Sequence, residues 1–158
     1  MEISAVLIGL LCTLLFMGPI AYIIIQNATA QQRLTKAFRQ LAKAQNLELS
    51  EIEVVGTTIL ASNNGNDHLI WSHTKNINGK FQICKLSAAT GCEVFTEFSA
   101  RKTLDVITLR IWIATELHEI EFYREDDEDT PVTDALACLQ RAEHWKALVA
   151  ASLRKKAA

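Results

Sequence analysis

The feature that most constrains this chain is its beginning: from Ile3 to Ile25 there are 23 residues without one charged side chain. At ~1.5 Å of rise per residue such a run makes a helix about 34 Å long, enough for a hydrocarbon core of ~30 Å with some tilt. No polar face interrupts it, as a surface helix of a globular protein would require. The run predicts a transmembrane helix over residues 3–25, kinked at Gly18-Pro19 and with Tyr22 near one interface. A cleaved signal peptide is the competing reading, and Ala28-Thr29-Ala30 resembles a cleavage site. Against it, the start carries Glu2 and no Lys or Arg, and the apolar run is too long. Ala5 and Gly9 form one small-xxx-small pair, through which two copies of the helix can approach.

Charge then sets the expected orientation. Residues 31–46 carry Arg33, Lys36, Arg39 and Lys43 and no acid, whereas residues 47–158 hold 12 bases and 17 acids. The positive-inside rule places the N-terminus outside and the body in the cytoplasm of a single-pass membrane protein. A mildly acidic body argues against a nucleic-acid partner. Cys84, Cys92 and Cys138 lie beyond the run and show no zinc spacing; in the cytoplasm they stay thiols. A Cys84–Cys92 bond would overturn that orientation. Asn27-Ala28-Thr29 fits the glycosylation pattern, but so close to a bilayer it is read as coincidence.

The organisation follows from changes of period. Residues 1–27 are the expected anchor. Residues 28–46 read as a basic juxtamembrane helix continuing from the anchor, with Leu34, Phe38, Leu41 and Gln45 on one stripe and Asn46 as its stop. Residues 47–158 read as one α+β domain. Extended segments are expected at Leu47–Val54, Thr57–Ser62, His68–His73, Phe81–Leu86, Cys92–Phe98, residues 105–114 and Leu117–Arg124. Turns are expected at Asn63-Asn64-Gly65-Asn66 and Asn78-Gly79. Alternation is clearest where Ile107, Leu109, Ile111 and Ile113 oppose Thr108, Arg110 and Trp112. In the next strand Ile120 and Phe122 should face inward and Glu119, Glu121 and Tyr123 outward. After an acidic loop, Glu125–Asp129, a terminal helix is expected from Thr130 as N-cap and Pro131 as first residue. Its stripe runs through Val132, Ala135, Leu139, Ala142, Trp145 or Lys146, Val149 and Leu153. The expected fold is therefore α+β: a transmembrane helix, a juxtamembrane helix, an antiparallel sheet or partly closed barrel of about six or seven strands, and a C-terminal helix packed on the sheet.

The layout resembles uncharacterised bacterial single-span membrane proteins with a small cytosolic β-rich domain. The resemblance rests on Ala37-Phe38-Arg39-Gln40-Leu41-Ala42, Asp67-His68-Leu69-Ile70-Trp71, Ile120-Glu121-Phe122-Tyr123 and Ala142-Glu143-His144-Trp145. It implies no activity. A strand-rich body closed by one helix also resembles pleckstrin-homology-like barrels. Lys75, Lys80 and Lys85 fall in the region of their lipid-binding hairpin, without the K-x-R pairing that marks it.

No catalytic constellation is legible. Glu116-Leu117-His118-Glu119 is the nearest approach to an acid–base or metal cluster, with Glu116 and His118 sharing one strand face. His68 and His73 should face opposite sides of one strand. The acidic loop lacks the glycine and ligand spacing of a calcium loop. Neither a cofactor nor a metal site is expected. The expected function is a membrane-anchored cytosolic interaction or scaffold domain that binds the lipid bilayer and a protein partner or its own copy. The alternative is a peripheral sensor of anionic lipid, with Arg33, Lys36, Arg39 and Lys43 as contacts.

Overall fold

The computed structural model describes residues 2–63, 65, 67–76, 81–100, 103–126 and 134–157, without the side chains of residues 2–10, 12, 14, 27 and 155–157. The chain begins with one helix, α1 (Glu2–Ala44), and ends with another, α2 (Ala135–Ala157). Between them lie seven strands: β1 (Leu49–Val55), β2 (Thr58–Asn63), β3 (His68–His73), β4 (Gln82–Lys85), β5 (Ala89–Phe98), β6 (Leu104–Ile113) and β7 (Glu116–Arg124). All strand pairs are antiparallel, and they form two sheets, β1-β2-β3-β4 and β5-β6-β7. The strands do not make the one sheet or barrel that the sequence suggests. The break falls at a short 3-10 turn, Leu86–Ala88, which carries the chain from β4 to β5.

The N-terminal expectation requires correction. Residues 28–44 continue the helix of the preceding segment without a break, as the sequence suggests, and Pro19 sits inside it without ending it. Among the described residues no helix is long and apolar enough to cross a membrane. The single-pass anchor, the outside N-terminus and the cytoplasmic body all rested on a membrane-crossing helix, and they fall with it. Ala5, Gly9 and Cys12 lie outside the described side chains.

The C-terminal end of α1 is closed as its sequence suggests. Asn46 takes a left-handed φ of 59°, while Leu47 N–H donates to the Ala42 carbonyl and Asn46 N–H to that of Lys43. This is a Schellman closure, with asparagine where glycine is commonest.

The four-stranded sheet is buried on both faces. On one, Ile59, Ala61 and Ile70 meet Phe38 of α1, with Leu34, Leu41, Ile52 and Val54 around them. On the other, Leu60, Leu69, Trp71 and Cys84 join the main core with Ile107, Leu109, Ile111, Ile120, Phe122 and the α2 residues Cys138, Ala142, Trp145 and Val149. Double burial explains why β2 is apolar at consecutive positions rather than alternating. The order of layers is α1, four-stranded sheet, then the three-stranded sheet with α2.

Two expectations within the body change. A register shift between Ile107 and Thr108 leaves Phe122 as an extra residue in β7. The bulge brings both Phe122 and Tyr123 against the core, where simple alternation placed Tyr123 outward. The described part of α2 starts at Ala135, with Asp134 Oδ1 accepting from Leu136 N–H at 3.0 Å. The Thr130-Pro131 start lies outside the described residues, as do Asn78-Gly79, Asp127 to Asp129, and Asn64 and Asn66 of the first turn. On α2 the buried residue is Trp145 rather than Lys146, and Cys138 joins the stripe.

Candidate functional site

The candidate surface is helix α1, because its two parts have opposite problems. From Leu34 to Ala42 one face is clamped to the sheet: Phe38 and Ala42 are 1% exposed. Phe38 meets Phe81 edge-on at 6.5 Å between ring centroids. Before that segment the described side chains of the helix are exposed. Leu15, Phe16, Met17, Ile20, Ile23, Ile24 and Ile25 are 53–72% exposed. At 3.6 residues per turn these positions point in every direction, so the uncovered apolar surface is a cylinder rather than a stripe.

Arg33, Lys36, Arg39 and Lys43 are all exposed. The helical period groups Lys36, Arg39 and Lys43 within about 60° of one another on the exposed surface of the helix. Among the described residues none of the four has a carboxylate within ion-pair distance. Lys43 also lies in the last turn, where the helix dipole favours a cation. The structure nevertheless divides the four. Arg33 sits at the border of the packed face and lines a cleft of ≈ 790 Å³ between α1 and the 3-10 turn Thr74–Asn76. Arg39 and Lys43 line a second cleft of ≈ 640 Å³ with Asn46, Leu47, Glu48 and Leu49. Lys36 lines neither.

The polar groups of the body are engaged with one another. Glu53 Oε2 accepts from the indole Nε1–H of buried Trp145 at 2.7 Å, and Arg141 Nε lies 3.3 Å from Glu53 Oε1. His144 Nε2 is 2.9 Å from Glu51 Oε1. Together these contacts form a seam between β1 and α2. No linear pattern announces it, since the partners are separated by 88 to 93 residues. The only sequence signal is that Glu51 and Glu53 share a strand face with Val55. On the three-stranded sheet Arg110 stands in register between Glu93 and Glu119. It lies 2.7 Å from Glu119, 3.8 Å from Glu93 and 3.6 Å above the Phe95 ring.

The sequence-level candidates for acid–base chemistry do not converge. His118 is 3.8 Å from a largely exposed Glu116, and its ring lies edge-on to Trp71 at 5.7 Å. Glu119 is held by Arg110. His68 and His73 sit at opposite ends of β3, hydrogen-bonded locally to Asn63 and to the Lys75 backbone. Among the described residues no three His, Cys, Asp or Glu side chains are grouped to hold a metal ion.

Cys84, Cys92 and Cys138 are free thiols. Cys84 and Cys92 fall on consecutive strands of different sheets. Burial pushes both of these thiols up from 9.0 to about 11, and it raises Cys138 as well. High pKa values and poor access make them packing residues rather than nucleophiles.

No family model, curated protein or solved structure matches the chain.

Proposed function

We propose that this chain is a non-catalytic interaction module that engages a protein partner, its own copy included, through the uncovered part of α1. One observation carries the reading: Leu15 to Ile25 is exposed on every side, whereas the next turns of the same helix are buried against the sheet. Contiguous apolar surface larger than a few hundred Å² marks interaction sites. A cylinder of it is satisfied by a groove or bundle that surrounds the helix, not by a flat contact. A photo-crosslinking side chain at Ile20 of the full chain tests this. Adducts with a discrete protein, or with a second copy, are expected at Ile20 and absent from a probe placed at Glu143 on α2. Equal labelling at both positions, or no protein adduct at Ile20, refutes it.

A second reading rests on its own observation: Lys36, Arg39 and Lys43 are exposed, and among the described residues none has a carboxylate within ion-pair distance. We propose that this row contacts anionic headgroups at a surface. At ~1 kcal/mol per base, three would contribute about 3 kcal/mol, screened by salt. Full-length chain should bind anionic vesicles more tightly than zwitterionic ones at low salt. K36Q/R39Q/K43Q should remove the difference; if it does not, the reading fails.

A further inference from the structure

Arg33 is set apart from the other three cations, and its surroundings differ in kind. The cleft it lines is walled by Tyr22, Ile25, Ala30, Leu34 and Ala37 from α1, with Thr74 and Lys75 on the facing turn. Among the described residues no Asp or Glu contributes to that wall. Its remaining polar helix groups are occupied: the Thr29 hydroxyl donates to the Ile25 carbonyl at 2.7 Å, and Gln26 Nε2 donates to the Tyr22 hydroxyl at 3.0 Å. The cleft thus offers a largely apolar trough with Arg33 in its wall, faced by the Thr74–Asn76 turn. Arg33 has no carboxylate partner among the described residues, and its five N–H donors in fixed fork geometry suit a planar or tetrahedral oxyanion. A volume of ≈ 790 Å³ lies within the range of small-molecule sites.

We propose that this cleft binds one molecule of an anionic amphiphile, a long-chain carboxylate, with its head on Arg33 and its chain along Tyr22, Ile25, Ala30 and Leu34. Charge complementarity selects the head, and the apolar wall selects the tail. A neutral alcohol of the same length would leave the guanidinium without its partner. The site shares Tyr22 and Ile25 with the protein-docking surface above but uses neither Leu15 to Ile20 nor Lys36, Arg39 and Lys43, so a probe at Ile20 and the R33Q variant separate the readings.

The test is photo-affinity labelling of the full chain with a diazirine-bearing fatty acid and with the matching fatty alcohol, followed by peptide mapping. The acid is expected to label the segment around residues 22–37 and the Thr74–Lys75 turn, and the alcohol to label neither. R33Q should weaken labelling roughly tenfold, the factor for one charge-assisted hydrogen bond. R33K should retain part of it. K36Q/R39Q/K43Q should label as the parent does, and circular dichroism confirms that each variant is folded. Equal labelling by acid and alcohol, undiminished labelling of R33Q, or label spread evenly over residues 11–25 overturns the proposal. Loss in K36Q/R39Q/K43Q with R33Q unaffected would assign the carboxylate to the outward row, and it also overturns the proposal.

Discussion

Replacing Glu53 by leucine should destabilise the body by about 2 kcal/mol, and the seam geometry supplies the reasoning. Trp145 is fully buried, and its indole N–H donates 2.7 Å to Glu53 Oε2. Leucine removes the acceptor and leaves a buried donor unpaired, which costs ~1–3 kcal/mol. Arg141 also loses its partner, but its side chain is 44% exposed and reaches water, so that loss adds no more than ~1 kcal/mol. The leucine side chain, in a site only 27% exposed, offsets up to ~1 kcal/mol by apolar burial. The net is about 2 kcal/mol, or a Tm lower by roughly 8 °C at about 4 °C per kcal/mol for a domain of this size. Glu53→Gln keeps an acceptor oxygen and should cost about 1 kcal/mol or less. Urea unfolding followed by far-ultraviolet circular dichroism measures each variant, and a cycle with Trp145→Phe isolates the pair. The expected coupling is about 1.5 kcal/mol. A Glu53→Leu variant within ~0.5 kcal/mol of the parent, or a coupling near zero, would show that the seam is incidental to stability.

Phe38→Ala should cost ~3–5 kcal/mol of α1 docking, seen as faster amide exchange in residues 34–44, while exchange in β5 to β7 stays unchanged. Ala114 holds a left-handed φ of 52° in the β6–β7 turn, so Ala114→Gly should stabilise by about 0.5 kcal/mol. Gly56→Ala, at φ 54° in the β1–β2 turn, should destabilise by ~1 kcal/mol; the same urea titration reads both. The thiols predict a pH dependence. Folding keeps Cys84 and Cys92 protonated up to about 11, whereas the unfolded chain loses those protons near 9.0. Their contribution is therefore full below pH 9.0 and is lost as pH rises toward 11. The urea midpoint should fall across that window, and less so in Cys84→Ala/Cys92→Ala. Native alkylation should reach half-buried Cys92 before Cys84 and Cys138.

Local chemistry was enough to place most elements. His68–His73 is bounded in the structure as the sequence predicts, and the alternation of Ile107, Leu109 and Ile111 places those residues in the core. Asn46 ends α1 because left-handed backbone suits asparagine. These outcomes depend on periods of two and 3.6 and on single-residue backbone preferences, which a linear sequence carries in full. Everything that depends on which faces meet was decided in three dimensions. Charge-free residues at the start suggested a membrane span, but among the described residues no helix is long and apolar enough to cross a membrane, and the end of α1 is held by contacts from β1, β2 and β3. The Phe122 bulge turned Tyr123 inward, since an inserted residue cannot be read from alternation alone. The Glu53–Trp145–Arg141 seam joins residues about ninety positions apart, and only the packing of α2 over β1 brings them together. The same holds for the basic residues of α1. As sequence, Arg33, Lys36, Arg39 and Lys43 are one cluster; docking of Phe38 on the sheet fixes the helix rotation, turning Lys36, Arg39 and Lys43 outward and setting Arg33 at the cleft.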